Sequence, residues 1–367
     1  MKKWNNKLSL AFLSLGLLAI TPSAASAQGW YGDSCNPCSN PCQDPCNDCC
    51  GFGGFELGAD FLWWKTCVDD LDVGYSLVDD VNSLHSNRSY HYKTICPDWE
   101  PGVRVFLAKP DLWCNWVLEG SYTYIKPTQS KSFTSPADGS IYSSLSDDLT
   151  AIRVGSDLEK IHANWKATYQ TFDVLLGYPL EFCQCQHFTP YFGIAGLFLD
   201  QSLNSRGNYA SDSLIAADYF RTHWKSDLWA VGLKLGTAYE YALCDGFKLI
   251  ANGSATIVAG EAKNHNTSSY FDNTGTPFEY TNSYHDDESC HCIPGWHLQA
   301  GALYETCWCD WELFFRVGYE FVQWYNVPNA RRFFYANGEN EFEARSTSPS
   351  TSEFGFNGLF LGAGVKF

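Results

Sequence analysis

The feature that most constrains this chain is a strand pattern in which every second residue is apolar. In the stretch GFELGADFLWWK, Leu57, Phe61 and Trp63 fall on one face, whereas Glu56 and Asp60 fall on the other. Successive side chains of a β-strand point to opposite faces, so a period of two predicts strands with one apolar face. The chain therefore predicts an all-β fold.

The same unit recurs as hairpins along the sequence. The paired stretches are GVRVFLAK with NWVLEGSYTYI, YQTFDVLLGYPL with TPYFGIAGLFLD, LWAVGLKLGTAYEY with FKLIANGSATIVA, and WHLQAGALYE with WELFFRVGYEFVQWY. A last alternating stretch, GLFLGAGVKF, ends on an aromatic residue, which resembles the final strand of a bacterial outer-membrane barrel. Together with the first stretch, these segments predict ten strands.

The predicted connections fall into two classes that alternate along the chain. Short ones lie near 109–113, 181–188, 242–246 and 306–310, and long ones near 65–100, 126–165, 201–225, 260–294 and 326–353. Short periplasmic turns and long extracellular loops are typical of outer-membrane barrels. We therefore expect a transmembrane antiparallel β-barrel of at least ten strands, and twelve to sixteen if the long loops hide further hairpins. A soluble β-sandwich is the alternative, but strands of ten or more residues that end in tryptophan or tyrosine favour the barrel.

The N-terminal residues predict export. Lys2, Lys3 and Lys7 precede the apolar stretch 8–20, and Ala25-Ser26-Ala27 has the small-x-small pattern of a cleavage site. We expect a signal peptide over 1–27, a cysteine-rich periplasmic segment over 28–53 and an outer-membrane barrel over 54–367. No later stretch is apolar and long enough for a membrane-spanning helix. The alternative for the apolar stretch is an uncleaved interfacial anchor.

Composition and charge exclude one class of partner. Without the three N-terminal lysines the chain carries 21 basic and 41 acidic residues, a net charge of −20. A phosphate backbone would repel such a protein, so we expect no nucleic acid partner. Aromatic residues make up 16% of the chain, which a barrel wall explains because one of its faces contacts lipid.

Sixteen cysteines in an exported chain predict disulfides rather than zinc sites. Twelve fall on the short-turn side of the predicted barrel: Cys35, Cys38, Cys42, Cys46, Cys49, Cys50, Cys114, Cys183, Cys185, Cys244, Cys307 and Cys309. The other four, Cys67, Cys96, Cys290 and Cys292, fall at the opposite rim, where Cys67 and Cys96 are close enough in the predicted topology for an intrachain bond. Because a closed barrel needs no disulfides to hold it, links to other envelope proteins or other copies are one interpretation, and bridges within the chain are the other.

Several motifs together resemble a known family. They are the signal peptide, the stretch GADFLWWK, the opening WEPGVRVFLA of the second strand, FRVGYEFVQWY near the C-terminus and the terminal GVKF. They resemble the Legionella and chlamydia-like major outer membrane proteins. The resemblance implies a pore-forming β-barrel in the outer membrane of a Gram-negative intracellular bacterium and, for the chlamydial branch, a disulfide-linked envelope complex. The best-known chlamydial porins are described as trimers with sixteen strands, so ten strands and the dense N-terminal cysteine run depart from that pattern.

For a pore, function lies in the residues that face the lumen. Twelve charged residues fall on the polar faces of the strands: Glu56, Asp60, Arg104, Glu119, Asp173, Lys234, Lys248, Glu305, Glu312, Arg316, Glu320 and Lys366. A Lys or Arg facing lipid near the midplane would cost about 2–4 kcal/mol, so we expect these side chains to face inward. Seven acidic and five basic groups predict passive diffusion of small hydrophilic solutes with a slight preference for cations.

Two other function classes are alternatives. A non-conducting structural protein or adhesin is one, because about eight strands already give an interior that side chains fill. An enzyme is the other, but the chain has no nucleophile elbow, zinc-protease helix, phosphate loop or dinucleotide fingerprint. Seven of the nine histidines fall in predicted loops or at their edges, where we expect solvated roles: His85, His91, His162, His223, His265, His285 and His291. We expect no cofactor and no metal, although His291 between Cys290 and Cys292 is a candidate ligand.

Overall fold

The computed structural model describes a chain made of β-strands. The described residues are 54–80, 87–110, 112, 115–136, 139–145, 158–183, 185–210, 217–272, 274–308, 311–337, 342–346 and 350–367. None of their segments forms a helix of the length and hydrophobicity that crossing a bilayer requires. The predicted signal peptide and cysteine-rich segment lie outside the described residues.

Seventeen strands are formed within the described residues. They are β1 (Glu56–Val68), β2 (Asp72–Asp80), β3 (Asn87–Thr94), β4 (Trp99–Lys109), β5 (Val117–Ile125), β6 (Thr128–Thr134), β7 (Gly139–Ser143), β8 (Leu158–Gly177), β9 (Leu180–Cys183), β10 (Gln186–Tyr209), β11 (Tyr219–Cys244), β12 (Phe247–Phe271), β13 (Pro277–Trp308), β14 (Trp311–Asn329), β15 (Phe333–Asn337), β16 (Phe342–Ser346) and β17 (Ser350–Lys366).

Ten of these strands close into an antiparallel barrel, in the order β1, β4, β5, β8, β10, β11, β12, β13, β14 and β17. The ring closes where β17 pairs with β1, with Glu56 opposite Lys366 and Val68 opposite Phe354. Closure satisfies the backbone hydrogen bonds of both strands that would otherwise be sheet edges, which a membrane-spanning sheet requires. The predicted all-β fold and the predicted ten-stranded antiparallel barrel are confirmed.

Alternation places apolar side chains on the outside of the barrel. In β1, Leu57, Phe61 and Trp63 are exposed, whereas Leu62 and Trp64, which alternate with them, are buried. Exposed apolar residues continue around the wall: Val103, Val105, Leu107, Tyr122, Val174, Phe192, Ile194, Trp229, Val231, Leu233, Leu235, Leu249, Ile257, Leu298, Phe315, Val317, Leu359 and Leu361. Such a band, about 25 Å tall, is the lipid-facing surface of an outer-membrane barrel.

Four barrel strands continue far beyond this band. β10, β11, β12 and β13 contain 24, 26, 25 and 32 residues, whereas about 9–11 residues suffice to cross a bilayer. The predicted loops at 201–225 and 260–294 are therefore wrong over most of their length, because paired strands occupy them. Polar residues replace the apolar ones on the outer face there, so the apolar alternation that identified the membrane strands disappears although the backbone ladder continues.

Short strands occupy the other long connections. β2 pairs with β3 and β7, β6 pairs with β8, and β15 pairs with β16. The sequence predicted room for further hairpins in these connections but not their positions. β14 pairs with β13 only from Gly295 onward, so the earlier part of β13 has β12 as its one paired neighbour within the described residues.

The described cysteines differ in whether they are disulfide-bonded or free thiols. Cys185 and Cys307, both beside predicted short turns, are disulfide-bonded. Cys67, Cys96, Cys244, Cys290 and Cys292 are free thiols, so the predicted bond between Cys67 and Cys96 is wrong, and disulfides of these cysteines with other chains stay a prediction. Cys35, Cys38, Cys42, Cys46, Cys49, Cys50, Cys114 and Cys309 lie outside the described residues, and the side chain of Cys183 is not described.

The geometry explains why Cys67 and Cys96 do not pair. Cys67 points to the outer face, where its Sγ accepts a hydrogen bond from Asn357 Nδ2 of β17 at 3.0 Å. Cys96 precedes β4, which pairs with the opposite edge of β1. The two thiols therefore lie towards different neighbours of β1.

Candidate functional site in the barrel interior

The structure places all twelve predicted lumen residues on the inner face of the barrel. Eight of them line one interior cavity of about 460 Å³: Glu56, Arg104, Glu119, Asp173, Lys234, Glu305, Arg316 and Lys366. The other four, Asp60, Lys248, Glu312 and Glu320, bond to members of this set. Their role in conduction stays a prediction, but alternation located their side chains.

A buried charge cluster crosses the middle of the barrel. Arg316 of β14 donates from Nε and Nη2 to the two carboxylate oxygens of Asp60, each at 2.7 Å. Arg104 of β4 bridges Asp60 at 3.3 Å and Glu320 Oε2 at 2.7 Å. Asp60 and Glu320 are almost inaccessible to solvent. Hydrogen-bonded charges of this kind are strongly coupled, because removing one partner leaves the other buried without compensation.

Two ring nitrogens complete this cluster. Trp64 donates from Nε1 to Glu320 Oε1 at 3.0 Å, and His297 Nε2 lies 2.9 Å from Glu320 Oε2. Glu320 therefore joins side chains of β1, β4 and β13 to its own strand, β14. The cluster thus links side chains from one side of the barrel wall, where β4, β1, β17, β14 and β13 are consecutive strands.

A second charge cluster lies at the end with the short turns. Lys366 Nζ donates to Glu305 at 2.7 Å and to Glu312 at 2.8 Å. Lys248 Nζ lies 2.5 Å from the other oxygen of Glu305 and 3.5 Å from Glu240. In barrels of this class the short turns face the periplasm, so this cluster lies at the periplasmic mouth.

The wall of the cavity between the two charge clusters is polar. Two of its carboxylates have no side-chain partner among the described residues. Lys234 Nζ donates to Asp173 at 2.7 Å, and the Tyr191 hydroxyl donates to Asn252 Oδ1 at 2.6 Å. Glu56 and Glu119 line the same cavity, and neither makes a hydrogen bond or ion pair with the side chain of another described residue. The interior therefore presents two carboxylates that the described part of the chain leaves unpaired.

An aromatic layer closes the interior on the other side of the cavity. We define it as Trp64, Trp165, Tyr169, Trp324, Phe354 and Phe356, all buried. The ring centroid of Phe356 lies 4.8 Å from that of Tyr169 and 5.1 Å from that of Trp64. Trp324 Nε1 donates to the Tyr169 hydroxyl at 3.1 Å. Trp64, Tyr169 and Trp324 also line the cavity, so the layer forms its inner end.

Sequence reasoning missed part of this interior. Glu240 lies on the inner face of β11, six residues from Lys234, and the same alternation would have found it. His297 and Trp64 were not recognised as partners of Glu320, because cross-barrel contacts leave no local signal in the sequence. The aromatic layer was missed because alternation tells which face a residue occupies but not whether facing rings meet.

The predicted solvated histidines lie mostly on strands. His162, His223, His265 and His285 lie on the outer face beyond the lipid band, whereas His291 is buried. His91 lies on β3, and His85 is outside the described residues. His291 contacts Glu288 and the Asn326 carbonyl and points away from the exposed Cys292, which disfavours the metal site considered for that stretch. No group of three or more potential ligands that fits a metal ion occurs among the described side chains.

Comparison with solved structures finds outer-membrane barrels. The outer membrane protease OmpT of Escherichia coli is 9% identical, with a TM-score of 0.37, covering 86% of this chain and 96% of that one. A major outer membrane protein of Thermus thermophilus is 12% identical, with a TM-score of 0.30 and coverages of 86% and 98%. The toluene transporter TodX of Pseudomonas putida is 10% identical, with a TM-score of 0.30 and coverages of 88% and 92%. These likenesses carry no inference about activity.

The sequence comparisons give the family. No curated protein matches the chain. The model of the family described as Legionella pneumophila major outer membrane protein precursor matches residues 47–367, which include the whole barrel. The chain is therefore a member of the Legionella major outer membrane protein family and an outer-membrane β-barrel.

Proposed function

We propose that this protein is a narrow pore for small hydrophilic solutes, closed in the described state by the aromatic layer. The observation that carries the proposal is the interior cavity of about 460 Å³, lined by charged side chains and extending from the periplasmic mouth to that layer. A charged, water-accessible lumen is what solute passage requires, and an apolar constriction can stop conduction by excluding water.

Selectivity follows from the charges in the cavity. Ten of the twelve predicted lumen residues belong to ion pairs. The opposite charges of a pair largely cancel, so these residues attract an ion in the lumen only weakly. Glu56 and Glu119 remain as carboxylates that a passing ion can approach. The pore should therefore prefer cations.

A planar-bilayer recording tests the proposal. Wild-type protein should give rare, small ohmic steps, because the layer closes the lumen in the described state, and the double variant Phe356→Ala, Trp324→Ala should give larger and more frequent ones, because the layer loses two rings. Glu119→Gln should lower the permeability ratio of K⁺ to Cl⁻, whereas Glu261→Gln on the outer wall should leave it unchanged. Silence of both the wild type and the double variant would overturn the pore.

A non-conducting structural protein is the second candidate, and the buried aromatic layer favours it.

The exposed free thiols Cys96, Cys290 and Cys292 are available for bonds to other envelope proteins or other copies. We propose such links as a second role of the chain. Electrophoresis of the envelope fraction without reductant should show oligomers that the triple serine variant at these positions lacks; an unchanged monomer band would exclude the links.

A further inference from the structure

Two histidines face each other on the outer wall beyond the lipid band. His265 of β12 lies directly opposite His285 of β13 in the strand register. Their Nδ1 atoms are 3.0 Å apart and their ring centroids 4.2 Å apart. Both side chains reach solvent. Because the outer apolar residues of β12 end before Glu261, this pair lies outside the hydrocarbon region.

The spacing of the two nitrogens suits a shared metal ion. Histidine nitrogens bind Zn²⁺ and related ions at about 2.0–2.1 Å. Two such bonds at a right angle place the nitrogens about 2.9 Å apart, whereas a tetrahedral angle requires about 3.4 Å. A right angle is the ligand angle of tetragonal Cu(II) and Ni(II) sites, and Cu(II) binds nitrogen ligands most tightly in the divalent series. The observed 3.0 Å is also the length of a hydrogen bond between the two rings, so the distance shows that one ion can reach both nitrogens, and the preference for Cu(II) rests on its affinity for nitrogen ligands.

A third histidine lies diagonally across the same face. Lys225 of β11 is opposite His265, and His223 is two residues along the strand from Lys225. The exposed imidazole of His223 lies on the same outer face as His265. Its Nδ1 lies 2.6 Å from the Asn204 side-chain oxygen, which accepts a hydrogen bond from Nδ1 and leaves Nε2 unprotonated. A hydrogen bond of this type commonly orients a metal-binding imidazole.

Charged side chains of both signs surround the histidine pair. Lys225 is paired with Asp227 at 2.7 Å and Lys263 with Glu261 at 3.0 Å. Two more carboxylates, Asp200 and Asp287, lie on this face of the wall: Asp200 is opposite Asp227 and Asp287 is opposite Lys263. Arg206 and Arg221 lie on the same exposed face beyond His223, so four carboxylates and four cationic side chains balance and a bound ion meets no net repulsion.

We propose that His265 and His285 bind a divalent transition-metal ion on the extracellular part of the wall, with Cu(II) as the preferred ion. Water fills the remaining coordination positions, because the described side chains form no group of three ligands around one ion, and His223 joins only by a change of side-chain rotamer. The site is separate from the lumen, so it is independent of the pore proposed above.

Copper titration of the folded, detergent-solubilised protein tests the site. The protein should carry no histidine tag and should be treated with N-ethylmaleimide, because free thiols bind and reduce Cu(II). We expect one tight Cu(II) equivalent, with an electron paramagnetic resonance spectrum of at least two nitrogen ligands. His265→Gln and His285→Gln should each weaken binding by more than roughly tenfold, since loss of even a supporting contact costs that much.

His162→Gln is the matched control, because His162 is an exposed wall histidine held by Ser130 and Ser132. It should leave the copper affinity unchanged. The electrophoretic shift between heated and unheated protein checks that every variant folds. An unchanged affinity and spectrum in the folded double variant His265→Gln, His285→Gln would overturn the proposal, as would a titration that shows no tight equivalent in the wild type.

Discussion

The two halves of the barrel interior come from the same strands but are built differently. Towards the short turns, charged side chains such as Arg104, Asp173 and Lys366 surround a cavity. Towards the long connections, aromatic side chains such as Trp64 and Phe356 fill the cross-section. Alternation is identical in both halves, since it reports only that a residue faces inward. Whether the inside is a passage or a core depends on which side chains meet there.

The largest effect should come from the buried charge cluster. Arg104→Met leaves Asp60 and Glu320 without one of their partners in a site that is nearly closed to water. Breaking a buried pair costs about 3–5 kcal/mol, so the free energy of unfolding should fall by that amount. Urea unfolding in lipid vesicles, followed by tryptophan fluorescence, measures it. A change below that seen for Lys225→Met would show that the cluster does not hold the charged half together.

The aromatic half should respond next. Leu62 is fully buried beside this layer, and Leu62→Ala should cost about 2–5 kcal/mol through lost contacts and the cavity left behind. Leu57→Ala, on the lipid-facing side of the same strand, is the control and should cost less because lipid fills the gap. The same urea series compares them. Equal losses for the two leucines would mean that the layer is not a packed core.

A smaller effect should come from the wall of the cavity. Lys234→Met removes the partner of Asp173, whose side chain is 15% exposed and can be hydrated from the cavity. The cost should be about 1–3 kcal/mol, the penalty for an unsatisfied polar group that water partly reaches. Recovery of stability in the double variant Lys234→Met, Asp173→Leu would confirm that the unpaired carboxylate causes the loss; no recovery would place the cause in packing.

The smallest effect should come from the outer wall. Lys225 and Asp227 form an ion pair whose side chains are 53% and 43% exposed. Exposed pairs contribute less than about 1 kcal/mol, so Lys225→Met should leave the urea midpoint nearly unchanged and insensitive to salt. A large loss would show that charge pairing outside the barrel matters as much as pairing inside it.

The sequence predicted the barrel better than its contents. All ten membrane strands and the inward position of residues such as Glu56 and Lys366 follow from the period of two, because lipid enforces it. The extended parts of β10 to β13 were predicted as loops, because their outer face contacts water. Polar residues are stable there, so the apolar alternation that marks a membrane strand is absent. Partners such as Trp64 and Glu320 are 256 residues apart, and no local pattern reports such pairs. The bonding state of Cys67 depends on which edge of β1 it faces, which spacing alone does not give.

One consequence follows from the uneven length of β13 and β14. The part of β13 before Gly295 has no ladder partner on the β14 side within the described residues, and an unpaired strand edge invites other polypeptides to add to it. This border carries Asp286, Asp287 and Glu288 in succession. The chain itself covers part of this border, because Arg331 pairs with Asp286 and Asn326 Nδ2 donates to the Cys292 carbonyl. A second copy would have to displace these contacts to add a strand, so a crowded membrane surface would stay free of sheet polymers.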